Sequence, residues 1–241
     1  MKFILLPALL LACPPLRAAA PPIHGPGAVE VNDSEDAPDL HGDFPQSCMV
    51  ESETMRCSAT IIAKNQAITA AHCAEGASSK EVTLTCGGNR AVYSGTLRPN
   101  KAYRYGAGIT VANLENDYGF VTLKKKAVFN ADPMPFASSS QWPLFSDPKK
   151  NDCRIAGWGV NNEGTDSRLF YAPVPNIVAA EESQRILLIG SGGSNENGND
   201  HGDSGGTLMC RQGDIWYLVG VLTSAGKNNV GGAVSVMDFS Y

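Results

Sequence analysis

Short apolar runs, each ended within a few residues by Gly, Pro, Asn or Ser, recur along this chain. Ser58–Ile62, Ala67–Ala70, Glu81–Thr85, Gly119–Leu123 and Arg154–Gly157 read as strands on this pattern. So do Ile186–Ile189, Thr207–Cys210, Trp216–Thr223 and Ala233–Val236. Nowhere does the apolar spacing hold the helical period over a long window. Many short strands divided by turns predict an all-β barrel or sandwich. Ala131 to Pro143, rich in Pro and Ser, reads as a connection between two halves. Pro21 to Gln46 is acidic and Pro-rich, and Ser191 to Asp200 is almost all Gly, Ser, Asn and acid. Both read as loops.

The N-terminus changes the picture of where the chain works. Met1-Lys2, an apolar Phe3 to Ala12 and then Arg17-Ala18-Ala19-Ala20 describe a secretory leader cleaved after Ala20. A lipoprotein leader is the rival reading of Leu10-Leu11-Ala12-Cys13, although Leu11 and Pro14 fit that motif poorly. The apolar run is too short to span a membrane, and no later stretch is long enough. The expected location is secreted or periplasmic.

Of seven cysteines, Cys13 leaves with the leader and six remain. An even number in an exported chain predicts three disulfides, but spacing alone does not choose their pairing. The formal charge of −5 becomes more acidic once Lys2 and Arg17 are removed. An acidic chain without a basic tract argues against a nucleic-acid partner. Asn195-Glu196-Asn197-Gly198-Asn199-Asp200 loosely resembles an oxygen-ligand calcium loop, but the ligand spacing does not match. No metal and no cofactor is expected.

The candidate chemistry centres on Gly202-Asp203-Ser204-Gly205-Gly206. This run also satisfies the G-x-S-x-G elbow of α/β-hydrolases, whose order is Ser, then acid, then His. The chain has four histidines, His24, His41, His72 and His201, and none follows Ser204. The base must therefore come from upstream. His72 stands in Ile68-Thr69-Ala70-Ala71-His72-Cys73, and Asp117 precedes an apolar run in Asn116-Asp117-Tyr118-Gly119-Phe120-Val121-Thr122-Leu123. With T-A-A-H-C, then Asp117, then G-D-S-G-G in this order, the chain resembles the trypsin-like (chymotrypsin-fold) serine peptidases. The resemblance covers nearly the whole chain after the leader.

That resemblance implies two six-stranded Greek-key β-barrels with the active site in the cleft between them. With the signal peptide at 1–20, 21–46 becomes an N-terminal segment and candidate pro-segment, and 47–130 the first barrel. Residues 131–143 become the inter-barrel connection and 144–241 the second barrel. The C-terminal helix usual in the family is expected to be shortened or absent, given the stretch Met237-Asp238-Phe239-Ser240-Tyr241.

The same resemblance implies roles. Ser204 is the nucleophile, His72 its base, and Asp117 the group that orients the imidazole. The N–H groups of Gly202 and Ser204 form the oxyanion hole. Cys57 pairs with Cys73 and Cys153 with Cys210, leaving Cys48 and Cys86 as a third pair or as two free thiols. Asp203 pairs in the family with a newly exposed α-amino group. Here no I-V-G-G precedes the first barrel, and no Lys or Arg lies between Ala18 and Met55. Trypsin-like activation cleavage is excluded, so another protease makes the active terminus or Asp203 has another partner.

The position that selects Arg or Lys in the family falls on Gly198, and Asp200 replaces a usual cysteine. Thr223-Ser224-Ala225 stands where the family often has S-W-G. Thr223 is expected to contact Asp117, and Thr223 and Ala225 to bind an extended substrate backbone. His201 either borders the pocket or sits in solvent. The implied activity is that of an exported serine endopeptidase without Arg/Lys preference. Its partners would be a polypeptide substrate and a candidate protein inhibitor. The alternatives are a catalytically weak or inactive homologue serving as a protein-binding scaffold, and an esterase with the same triad.

Overall fold

The structure, a computed structural model, describes residues 29–30, 44–87, 91–126, 132–159, 169–174, 176–190, 203–225 and 231–239. The first barrel takes β2 (Ser47–Glu51), β3 (Arg56–Ala63), β4 (Gln66–Thr69), β5 (Glu81–Cys86), β6 (Ala91–Pro99) and β7 (Gly119–Leu123). Their order β2-β3-β4-β7-β6-β5 closes on itself through the β2–β5 pair. Closure leaves this sheet without an edge.

The second half contains β8 (Cys153–Gly157), β9 (Phe170–Pro173), β10 (Ile177–Ala180), β11 (Ser183–Ile189), β12 (Thr207–Gln212), β13 (Ile215–Ala225) and β14 (Gly231–Ser235). With the short N-terminal β1 (Val29–Glu30) they form one eight-stranded antiparallel sheet, ordered β1-β9-β8-β12-β13-β14-β11-β10. Thus the chain is nearly all-β, with one closed barrel and one curved half-barrel sheet.

Local sequence explains most of these strands. In β5 the alternation Glu81, Val82, Thr83, Leu84, Thr85, Cys86 turns Val82, Leu84 and Cys86 inward. β7 does the same with Val121 and Leu123. Ile61, Ile68, Leu84, Leu97 and Val121 are fully buried inside the barrel. Each such side chain contributes about 1.5–3 kcal/mol on burial. Ile155, Leu187, Ile189, Leu208 and Leu222 form the second core.

β3 departs from alternation. Every residue from Cys57 to Ile62 is buried. One face lines the barrel, and the other meets the second sheet, where the Thr60 and Thr207 hydroxyls lie 2.5 Å apart.

One segment read as a loop and the segment read as a connection both contain structured residues among those described. Within Pro21 to Gln46, Val29 and Glu30 pair with Tyr171 and Phe170, and Phe44 packs edge-on against Tyr171 and Trp216. The connection read from Ala131 to Pro143 contains a 3₁₀ turn at Ser139–Gln141 that runs into α2 (Trp142–Phe145). Ser138 and Gln141 cap that turn reciprocally, the S-x-x-Q signature being present in the sequence. No helix follows β14 among the described residues.

Three disulfides brace the fold. Cys48–Cys86 and Cys153–Cys210 link register partners on β2/β5 and β8/β12. Cys57–Cys73 ties β3 to the 3₁₀ turn Ala71–Ala74. No helix among the described residues is long and apolar enough to cross a membrane.

Candidate active site

His72 sits in the 3₁₀ turn that follows β4, where Ala70, Ala71 and Cys73 are buried. Small residues let the turn press onto the barrel while its one large polar side chain points out. The His72 side chain is 19% exposed. Its Nδ1 lies 2.7 Å from Asp117 Oδ2, and its backbone N–H donates to Asp117 Oδ1 at 2.9 Å. One carboxyl group thereby holds both the ring and the backbone of His72. With Nδ1–H donating to that carboxyl oxygen, Nε2 is left as the acceptor in the neutral ring.

Asp117 is 3% exposed and is delivered by the turn after α1 (Val111–Leu114), just before β7. Its own N–H donates to Leu114 O at 3.1 Å. The preceding loop is held by Asn113, whose Oδ1 accepts from Arg104 N and whose Nδ2 donates to the carbonyls of Arg104 and Gly108. Tyr103, on this loop, has its phenol pushed up to about 12 by burial, then by the charges of Asp117 and Glu75.

Ser204 comes from the second sheet and is brought to the same place. Its carbonyl accepts from Ser58 N–H at 2.7 Å and lies 3.9 Å from Cys73 Sγ, beside His72. Gly205 adopts φ +82°, and a Cβ there would collide with Ser58 O and Thr69 Oγ1. Only glycine fits that approach without strain. Gly205 N–H donates to Leu222 O of β13 at 2.6 Å, which anchors the turn on its own sheet as well, and Gly206 N–H donates to Asp203 O at 2.7 Å within the turn.

Asp203 is fully buried, with its carboxyl group against Gly157. A Cβ at that glycine would overlap Asp203 Oδ1. Thr223 is 8% exposed, where the β13–β14 register shifts, and its hydroxyl donates to Gly232 O at 3.4 Å. Ala225 closes β13 opposite Gly231. Gly198, His201 and Gly202 lie outside the described residues.

His72, Asp117, Ser204 and the Cys57–Cys73 bridge therefore converge from both halves of the fold. A family model described as Trypsin matches residues 35–239. The chain belongs to the trypsin family. It is similar to coagulation factor XI of Bos taurus, 31% identical over 219 residues that cover 78% of this chain and 32% of the relative. It is also similar to spermosin of Halocynthia roretzi, 31% identical over 184 residues that cover 69% of this chain and 47% of the relative. The chain thus spans less than half the length of either relative.

The trypsin-family motifs did not point to Ser58, which is the hub between the halves. Its N–H donates to Ser204 O, its Oγ accepts from Trp158 N–H at 2.7 Å, and its carbonyl accepts from Thr69 Oγ1 at 2.6 Å. The available signal was the alternation of hydroxyl side chains Ser58 and Thr60 within an apolar strand.

Cys57, His72 and Cys73 offer atoms close enough together for a metal. Both sulfurs are spent in the disulfide, and a metal needs thiolates. A cavity of about 490 Å³ lined by Phe44, Gln46, Asp132, Met134, Asp214 and Trp216 contains none of the three convergent residues.

Proposed function

We propose that this chain is an exported serine endopeptidase in which His72, Asp117 and Ser204 act as a catalytic triad. The observation that carries the reading is the double hold of Asp117 on His72, with the Ser204 turn docked beside it on the same barrel. Ser204 Oγ attacks the scissile carbonyl while His72 Nε2 takes its proton. The N–H groups of Gly202 and Ser204 receive the oxyanion, and each such donor typically contributes on the order of 3 kcal/mol to the transition state. His72 then returns the proton to the departing amine. Water, activated by the same imidazole, releases the acyl group from Ser204.

The reading takes 1–20 as the leader and 21–46 as a candidate pro-segment. It takes 47–130 and 144–241 as the two barrels, joined by 131–143. Gly198 in the specificity position supports a preference other than Arg or Lys, with Thr223, Ala225 and His201 at the substrate. Polypeptides are the proposed substrates, and a protein inhibitor entering the same cleft is a proposed partner.

The test is fluorophosphonate labelling of the processed protein beside a Ser204→Ala variant. Labelling confined to the chain that keeps Ser204 supports the reading, and an unreactive Ser204 in every processed form sinks it. A peptide-library profile dominated by cleavage after Arg or Lys would overturn the specificity.

A further inference from the structure

The turn that carries Asp117 is gripped from the second half of the molecule on both sides. On one side, Ser183 at the start of β11 is 8% exposed and its hydroxyl donates to Glu115 Oε1. On the other side, Tyr118 packs edge-on against Phe239, with ring centroids 5.1 Å apart. Arg185 of β11 lies over both rings, its guanidinium 5.7 Å from Tyr118 and 5.9 Å from Phe239. Ser183 Oγ also accepts from Arg185 N–H at 3.0 Å, so the two grips share one strand end.

Phe239 reaches this position by a turn made for it. Asp238 adopts φ +62°, a conformation costly for a residue other than glycine. Its N–H donates to Ala137 O at 2.8 Å, and its Oδ1 accepts from Ser139 N–H at 2.9 Å. Phe136, on the connection, packs on the other edge of Phe239 at 5.7 Å.

We infer that Ser183, Arg185 and Phe239 form a two-point clasp that fixes the Asp117 turn, making them positioning residues for the His72–Asp117 pair. The inference rests on the peptidase reading only for its kinetic consequence. The clasp acts through Glu115 and Tyr118, which flank Asp117 on its turn. A displaced carboxyl group leaves the imidazole less well aimed, and misplacements of about 1 Å cost up to roughly a hundredfold in rate.

The test compares Phe239→Ala, Arg185→Ala and Ser183→Ala with the parent protein, in two readouts. Turnover of a peptide substrate is expected to show kcat lowered by about ten- to a hundredfold, with KM nearly unchanged. Proton NMR is expected to show faster solvent exchange of the His72 Nδ1 proton, a signal that needs no catalysis. Phe239→Tyr, which keeps a ring, is expected to restore both. If the parent does not label at Ser204, the peptidase reading fails and the NMR readout alone decides the clasp. If Phe239→Ala does not fold, Arg185→Ala and Ser183→Ala carry the test. Parent-like kcat and parent-like proton exchange in folded variants, even with a lowered melting temperature, would overturn the inference.

Discussion

The N–H of Ser58 donates to the carbonyl oxygen of Ser204 at 2.7 Å. One residue of the first barrel thereby sets where the second sheet presents its candidate nucleophile. The Ser58 side chain has a separate duty, accepting from Trp158 N–H at 2.7 Å in a fully buried setting. Ser58→Ala keeps the backbone bond and strips Trp158 N–H of its acceptor. The expected loss is about 1–3 kcal/mol of stability, the cost of an unsatisfied buried donor. A urea midpoint equal to that of the parent would refute it.

Gly205 tests the same contact from the other side. Gly205→Ala must place a methyl group against Ser58 O and Thr69 Oγ1 at φ +82°. Both the collision and the backbone conformation oppose it, so the turn must retreat from the barrel. We expect a loss of more than about 2 kcal/mol and of Ser204 labelling together. Retained labelling at the parent rate would mean that the turn tolerates displacement.

The sequence made the chemistry legible because its motifs are local. Ile68 to Cys73 and Gly202 to Gly206 are each a short contiguous run, so the carriers of His72 and Ser204 are read directly from the sequence. The contacts between the halves were not legible. Ser58 and Thr60 alternate with apolar residues, which on one strand reads as a solvent-facing side, yet that side faces the second sheet. β6 carries no local signal for a related reason. Only Gly95 and Leu97 of its nine residues are buried, which leaves no apolar run to read. Arg185 and Phe239 find their partners only through the tertiary fold, which no local spacing encodes.

Asp117 holds His72 twice, and only one of those bonds survives a change to the amide. In Asp117→Asn, Oδ1 still accepts from the His72 N–H, while an amide nitrogen facing Nδ1 favours the wrong tautomer. For triads of this kind such a change costs on the order of ten-thousandfold in kcat. We expect a folded protein with a parent-like melting temperature and a loss of that order in turnover. A loss below about tenfold would remove Asp117 from the proposed triad.

Two of the three disulfides are expected to separate stability from activity. Replacing Cys48 and Cys86 together by Ala cuts a link between β2 and β5. Replacing Cys57 and Cys73 frees the turn that carries His72. Each pair of changes should cost about 2–5 kcal/mol. Only the second should slow Ser204 labelling at a temperature where both variants are folded. Equal labelling rates in the two variants would show that the His72 turn holds its place without the bridge.

Tyr103 gives the alkaline limit of the fold a named source. Its phenol is raised from 10.0 to about 12 by burial first, and then by the charges of Asp117 and Glu75. The folded state therefore keeps the proton that the unfolded chain releases near pH 10. Stability from this group is complete below that value and is lost as the pH rises towards about 12. Tyr105 is raised in the same direction, by burial and by Glu75 and Asp117, and adds to the slope. We expect urea unfolding to show stability falling across this window in the parent protein. Tyr103→Phe has no proton to lose at this position, so its decline should be shallower, with the Tyr105 contribution still present. An identical slope in the two proteins would show that Tyr103 titrates alike in the folded and unfolded chains.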